Sequence, residues 1–139
     1  MKLDYKINAP MNASQFIRLL KASTLGERRP IDNEICMQGM VENSNLIISA
    51  WAGDELVGVA RSMTDFHYAC YMSDLAVDTR FQRQGIGKKL IELTQQQIRS
   101  TCKLILIAAP AANDYYRHLG FEHNERCWVM ATNPRRNEF

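Results

Sequence analysis

Asp78-Thr79-Arg80-Phe81-Gln82-Arg83-Gln84-Gly85-Ile86-Gly87-Lys88-Lys89-Leu90 is the stretch on which the reading of this chain turns. It joins an apolar run, residues 68–77, to a segment in which Ile86, Leu90, Ile91, Leu93 and Ile98 fall within a little under half of a helical wheel. Lys88, Lys89, Glu92, Gln96 and Arg99 lie mostly outside that arc, so residues 85–100 read as an amphipathic helix covering a sheet. Gly85 and Gly87 then sit at the helix start. First-turn N–H groups point outward unpaired, the helix dipole favours negative charge, and a missing Cβ lets a diphosphate approach. Arg83 and Lys88 add cationic side chains. The turn is read as an anion cradle, against the blander alternative of a glycine turn that only packs a helix on a strand.

Two better-known phosphate loops do not fit. A Walker A loop needs Gly at position 82 and Ser or Thr at 89, which are Gln82 and Lys89. A dinucleotide fingerprint needs a third glycine at Leu90 and a place after a first strand. Here the preceding elements look like a meander. Residues 46–51 and 56–63 are apolar runs on either side of Gly53-Asp54, a hairpin signal, and residues 68–77 make a third strand. Residues 3–8 alternate weakly like a short strand. Residues 12–14 offer caps for a helix carrying Phe16, Ile17, Leu19 and Leu20 that Gly26 stops, and Pro30 and Asp32 open a second helix through Val41.

After the helix, residues 104–108 are nearly continuously apolar, as in a strand buried on both faces and parallel to the one before the helix. A short helix, 111–119, ends at Gly120, and residues 121–123 and 127–131 supply two last strands. Residues 132–139, with Pro134, Arg135 and Arg136, read as a frayed tail of one domain spanning 1–139.

Seventeen basic against fifteen acidic residues give a net charge of +2, too little field to argue for nucleic acid or an anionic membrane. Arg135-Arg136 alone is no basic stripe. No run of about 18 apolar residues occurs and residues 1–10 lack a signal-peptide core, so a soluble, cytoplasmic protein is expected. Cys36, Cys70, Cys102 and Cys127 are singly spaced, suiting reduced thiols better than a metal site.

Gln82-x-x-Gly85-x-Gly87, entered from Leu75-Ala76-Val77, resembles motif A of the GNAT superfamily of N-acetyltransferases, whose pattern is Arg or Gln, two residues, Gly, one residue, Gly or Ala. Asn113-Asp114-Tyr115-Tyr116-Arg117-His118-Leu119-Gly120-Phe121-Glu122 is similar to motif B, which often ends in Tyr-x-x-Leu-Gly-Phe. The detailed resemblance covers residues 72–122, and the first forty residues carry no motif of the family. With the elements above it implies an α/β (α+β) fold: one GNAT-like domain with a mixed, mostly antiparallel sheet of about six or seven strands and about four helices.

The resemblance further implies an acetyl-CoA-dependent N-acyltransferase in which a primary amine attacks the thioester directly. Leu75, Ala76 and Val77 would pair with the pantetheine arm, a backbone N–H near Leu75 would polarise the thioester carbonyl, and Gln82, Arg83, Gln84, Gly85, Ile86, Gly87 and Lys88 would hold the pyrophosphate. Asn113 matches a cofactor-contacting asparagine, or caps a helix. Tyr116 stands where the family has a tyrosine that protonates the leaving thiolate, or packs like Tyr115. Asp74 is the carboxylate nearest the expected place of the base, with a solvated strand residue as the alternative; His67 is a second candidate, and His118 and His123 read as surface or packing residues.

Acceptor recognition is expected from residues 25–31 and 65–67. There Arg28 and Arg29 either attract an acidic acceptor or are plain solvated surface. Trp51 and Trp128 read as core in preference to site lining. The acceptor would be a small-molecule or peptide amine; no metal is expected, and a homodimer enters by analogy alone. The competing function is a non-catalytic acyl-CoA sensor or interaction module.

Overall fold

The computed structural model describes residues 2–133 and forms two compact units, residues 2–107 and 108–133. The rest of the expected tail, 134–139 with Arg135 and Arg136, lies outside the described residues.

The first unit is a five-stranded sheet in the order β1 (Asp4–Ile7), β2 (Leu46–Ala52), β3 (Glu55–Thr64), β4 (Ala69–Val77), β5 (Lys103–Ile105). The first four strands pair antiparallel and β5 joins β4 in parallel, which the helix α3 (Ile86–Gln97) makes possible as the crossover. Helices α1 (Ala13–Ser23) and α2 (Glu34–Glu42) cover one face. Phe16, Leu19, Leu20 and Met37 pack there against Ile47, Trp51, Leu56, Val59 and Ala76. On the other face α3 lies close to β3, because Gly58 has no side chain: a Cβ there would stand 3.2 Å from Ile86 and 3.3 Å from Leu90.

Helix α1 is opened by a capping box between Asn12 and Gln15. Its left-handed cap is Thr24, at φ +73°, and not Gly26 as the sequence suggests. Gly26 is needed for a different reason, since a Cβ would meet the Leu20 carbonyl oxygen at 3.1 Å. Helix α2 starts later than Pro30 or Asp32 because Asn33 caps it, accepting from the Cys36 N–H at 3.0 Å.

Strand β5 has three residues, two of them exposed, where a longer strand buried on both faces was expected. Being last in the sheet, it has a β neighbour on one side only. Among the described residues the sheet therefore has five strands in place of six or seven, while the α/β class and the mixed, mostly antiparallel arrangement stand.

The second unit carries α4 (Asn113–His118), entered from a 3-10 turn at Pro110–Ala112 and ended by Gly120 at φ +94°. Residues 121–123 and 127–131 form no strand; Trp128 is 90% exposed and Met130 94%, so this run gains neither ladder nor core.

Candidate active site

Strand β4 is the axis of the site. Its register with β5 runs over three pairs, Ala69↔Lys103, Cys70↔Leu104 and Tyr71↔Ile105, and goes no further. Among the described residues no strand stands beside the outer edge of β4 from Met72 to Val77, so main-chain groups there other than the Ser73 and Val77 carbonyls, which Arg29 and Gln82 engage, can face an extended ligand arm. Leu75, Ala76 and Val77 all lie on this stretch.

The same strand contains a bulge. On β3, Arg61 and Ser62 are neighbours, yet they pair with Asp74 and Met72, leaving Ser73 as the extra residue. Met72 therefore shares a face with Ser62, while Asp74 and Ala76 share the α1 face with Arg61 and Val59.

Asp74 is thereby buried, its side chain wholly unexposed, between two guanidinium groups. Nε of Arg29 donates to Oδ1 and Nε of Arg61 to Oδ2, each at 2.5 Å. Arg61 also donates to the Met40 carbonyl at 3.2 Å and Ser44 Oγ at 2.9 Å, and its guanidinium lies 6.0 Å from the Phe16 ring centre. Arg29 reaches the Ser73 carbonyl at 2.8 Å and the Arg28 carbonyl at 2.9 Å. Neither reading of Asp74 made from the sequence fits. It is not a solvated strand residue, and with both oxygens bonded to cations it offers nothing to an arriving ammonium. Arg29 is likewise no free surface cation, whereas Arg28 is exposed.

This triad escaped the sequence reading, although a signal was there: Arg61 and Asp74 each interrupt an apolar strand, and two opposite charges in buried runs require one another. The other proposed base, His67, is exposed on the turn before β4. Eight residues of strand put it about 25 Å from Leu75. Residues 65–67, expected to recognise the acceptor, share that distant end. Trp51 is core, with Nε1 donating to Ser49 Oγ at 2.8 Å.

Beyond Val77 the chain is held by Asp78. Its N–H donates to the Val57 carbonyl at 2.9 Å, and its carboxylate accepts from the Arg80 N–H at 2.9 Å and guanidinium at 2.8 Å. The Arg80 guanidinium, which also bonds Glu55, holds the Asp78 carboxyl below the usual range and is itself pushed up. This network closes the 3-10 turn Thr79–Phe81 and delivers the chain to Gln82, whose amide nitrogen donates to the Val77 carbonyl at 3.0 Å.

The glycine turn follows. Arg83 adopts φ +64° and Gly85 φ +79°, so two left-handed residues bracket Gln84 before α3 begins. No side chain caps α3 and its first turn contains no acidic residue. Gln82, Arg83, Gln84, Gly85, Lys88 and Lys89 are exposed, Gly87 is half-buried, and Ile86 is buried as the anchor on Gly58. Uncapped N–H groups at a helix start, a positive dipole end and nearby Arg83 and Lys88 can take a phosphate group.

In the second unit, Asn113 is the exposed first residue of α4 and does not cap it. Tyr116 is half-buried and makes edge-to-face contacts with Tyr115 at 5.3 Å and Phe121 at 5.6 Å. Burial pushes the Tyr115 phenol up. Among the described residues no group of three or more His, Cys, Asp or Glu side chains is placed to hold a metal ion, and no helix is long and apolar enough to cross a membrane.

The family model described as acetyltransferase (GNAT) domain matches residues 26–130. The chain is 34% identical over 70 residues to GCN5-related N-acetyltransferase 2, chloroplastic, of Arabidopsis thaliana, a match covering 49% of this chain and 27% of the relative. The chain spans about half or less of the curated relatives it matches. Among solved structures, the GNAT-family acetyltransferase SP0256 of Streptococcus pneumoniae superposes with a TM-score of 0.74 at 22% identity, covering 93% of this chain and 98% of that one. The aminoglycoside N-acetyltransferase AAC(6')-Iy, solved with CoA, gives a TM-score of 0.67 at 19% identity over 94% and 95%. An open β4 edge, an uncapped glycine turn and a family match over residues 26–130 lead to one assignment: the chain belongs to the GNAT acetyltransferase family.

Proposed function

We propose that this chain is an N-acetyltransferase that moves the acetyl group of acetyl-CoA to a primary amine by direct attack. The observation that carries the reading is the continuity of the open β4 edge, Met72–Val77, with the uncapped, glycine-bearing start of α3. In this reading the backbone of Leu75, Ala76 and Val77 pairs with the pantetheine arm. The turn from Gln82 to Lys88 holds the pyrophosphate, with Arg83 and Lys88 adding charge. Binding energy gained at the phosphates then fixes the thioester relative to the amine, where orientation matters most for rate. A backbone N–H near Leu75 polarises the thioester carbonyl; the amine, having lost its ammonium proton to water, bonds through nitrogen to the carbonyl carbon as the carbon–sulfur bond breaks, the thiolate takes a proton, and the surplus proton on nitrogen passes to solvent.

Tyr116 is proposed as that donor, and Asn113 as a donor-substrate contact, on their places in motif B. A phenol, ordinarily near pKa 10 against about 8.5 for a thiol, stays protonated at neutral pH. Asp74 is not retained as the proton acceptor. The whole of residues 1–139 is taken as one catalytic domain, supported by a family match that runs from residue 26 to 130. The acceptor is taken to be a small molecule or peptide, and a homodimer is kept as part of the reading. A cytoplasmic setting is supported by four free cysteines.

A second reading, an acyl-CoA sensor without turnover, is favoured by one observation: Asp74, the one carboxylate of β4, is enclosed by arginines. A thiol-release screen of acetyl-CoA against amino acids, polyamines, aminoglycosides and peptide N-termini separates the two. Amine-dependent release supports the enzyme; tight CoA binding with no release from any amine supports the sensor.

A further inference from the structure

Arg29 engages three different groups at once, and two of them belong to the bulge of β4. Nε donates to Asp74 and an Nη to the Ser73 carbonyl, while the other Nη returns to the Arg28 carbonyl of its own loop. Ser73 is the residue that β3 leaves unpaired, so the peptide between Ser73 and Asp74 is the link of β4 least fixed by the ladder. That peptide is planar and trans, so its C=O and N–H point opposite ways. Holding the carbonyl toward Arg29 aims the Asp74 N–H away from Arg29.

We propose that Arg29 is a positioning residue: by clamping the Ser73 carbonyl and the Asp74 carboxylate together, it sets the direction of the backbone N–H groups at the entry to the open edge of β4 and ties them to the loop after α1. This rests on the acetyltransferase reading above. Arg61, anchored to the Met40 carbonyl and Ser44, holds the other oxygen of Asp74 and makes the carboxylate a fixed post for the clamp. The planar guanidinium is required because one group must reach a carboxylate and a carbonyl in two fixed directions, which an ammonium cannot reproduce.

The test uses Arg29→Ala and Arg29→Lys, because Asp74 keeps Arg61 as a partner in both. With an acceptor amine found in the screen, Arg29→Ala should lower kcat by about 10²-fold, the usual cost of a misplacement of roughly 1 Å, while KM for acetyl-CoA is unchanged. Arg29→Lys should not recover the loss, and millimolar guanidinium added to Arg29→Ala should recover part of it. Unchanged kcat, a loss carried by donor KM alone, or full activity in Arg29→Lys overturns the proposal. If the unaltered protein acetylates no amine, it is the acetyltransferase reading that fails, and the clamp is judged separately by 15N relaxation. Backbone order parameters of Asp74 and Leu75 should fall in Arg29→Ala, and equal values sink the clamp.

Discussion

The side-chain amide of Gln82 donates to the main-chain carbonyl of Val77 at 3.0 Å, so the first residue of the glycine turn is fastened to the last residue of β4. The bond fixes how the turn leaves the strand, and in the proposed reaction it sets the distance between the pantetheine edge and the pyrophosphate cradle.

Gln82→Ala should therefore weaken binding more than folding. Loss of one partly exposed hydrogen bond costs about 1 kcal/mol, or roughly a fivefold rise in Kd for CoA. Calorimetric titration with CoA measures it. An unchanged Kd would place the pyrophosphate elsewhere.

Gly85 holds φ +79° in open space, so Gly85→Ala meets no clash but adopts a backbone that costs an L-residue about 1–2 kcal/mol. Thermal unfolding should show a Tm lower by about 3–8 °C. CoA affinity should fall as well, because the added methyl group stands where a phosphate approaches. A variant of unaltered Tm would show that the left-handed turn is not kept in solution.

The acid limb of stability should report the Asp78–Arg80 pair. Its carboxyl is held below the usual range by the Arg80 guanidinium, so the pair contributes fully above the unfolded carboxylate pKa of about 3.9 and is lost as pH falls through the lower folded value. Asp78→Asn should lower Tm at neutral pH, and its gap from the unaltered protein should close as pH drops below 4 or thereabouts. A gap independent of pH would mean that the charge is not what holds the turn.

Asp74→Asn should be far more damaging to the fold than to any single contact. It leaves two guanidinium groups beside a neutral partner in a buried place, a change of about 3–5 kcal/mol. Chemical denaturation should show the loss, and Asp74→Asn with Arg29→Ala should lose less than the sum of the two. Strict additivity would argue against a coupled triad.

Tyr116→Phe removes a proton donor and keeps the ring contacts with Tyr115 and Phe121. If the hydroxyl serves the leaving thiolate, amine-dependent thiol release should fall by about 10²-fold with CoA binding intact. Unimpaired release would reduce Tyr116 to packing.

Much of the fold was legible because it is written locally. The Gly53-Asp54 hairpin, the caps at Asn12, the amphipathic 86–97 segment and the glycine turn each follow from short-range patterns. What was missed is nonlocal. The Ser73 bulge exists only as an offset between two strands, and the partners of Asp74 lie 13 and 45 residues away. Alternation alone suggested that Asp74 turned away from the cleft, because a register offset leaves no mark in one strand's composition. The last apolar run, 127–131, has the composition of a strand, but composition does not supply a neighbour for it.

The extra residue in β4 acts as a phase shift in the code of the strand. Up to Met72 the inward positions belong with Ser62 on one side of the sheet, and from Asp74 they belong with Arg61 on the other. Deleting Ser73 would make Met72 and Asp74 neighbours opposite Ser62 and Arg61 in an unbroken ladder, so every later side chain would keep its face and only the irregular link, with the carbonyl that Arg29 holds, would be lost. One serine without a strand partner thus lets an unbroken alternation of buried residues, Cys70 to Ala76, serve both faces of the sheet.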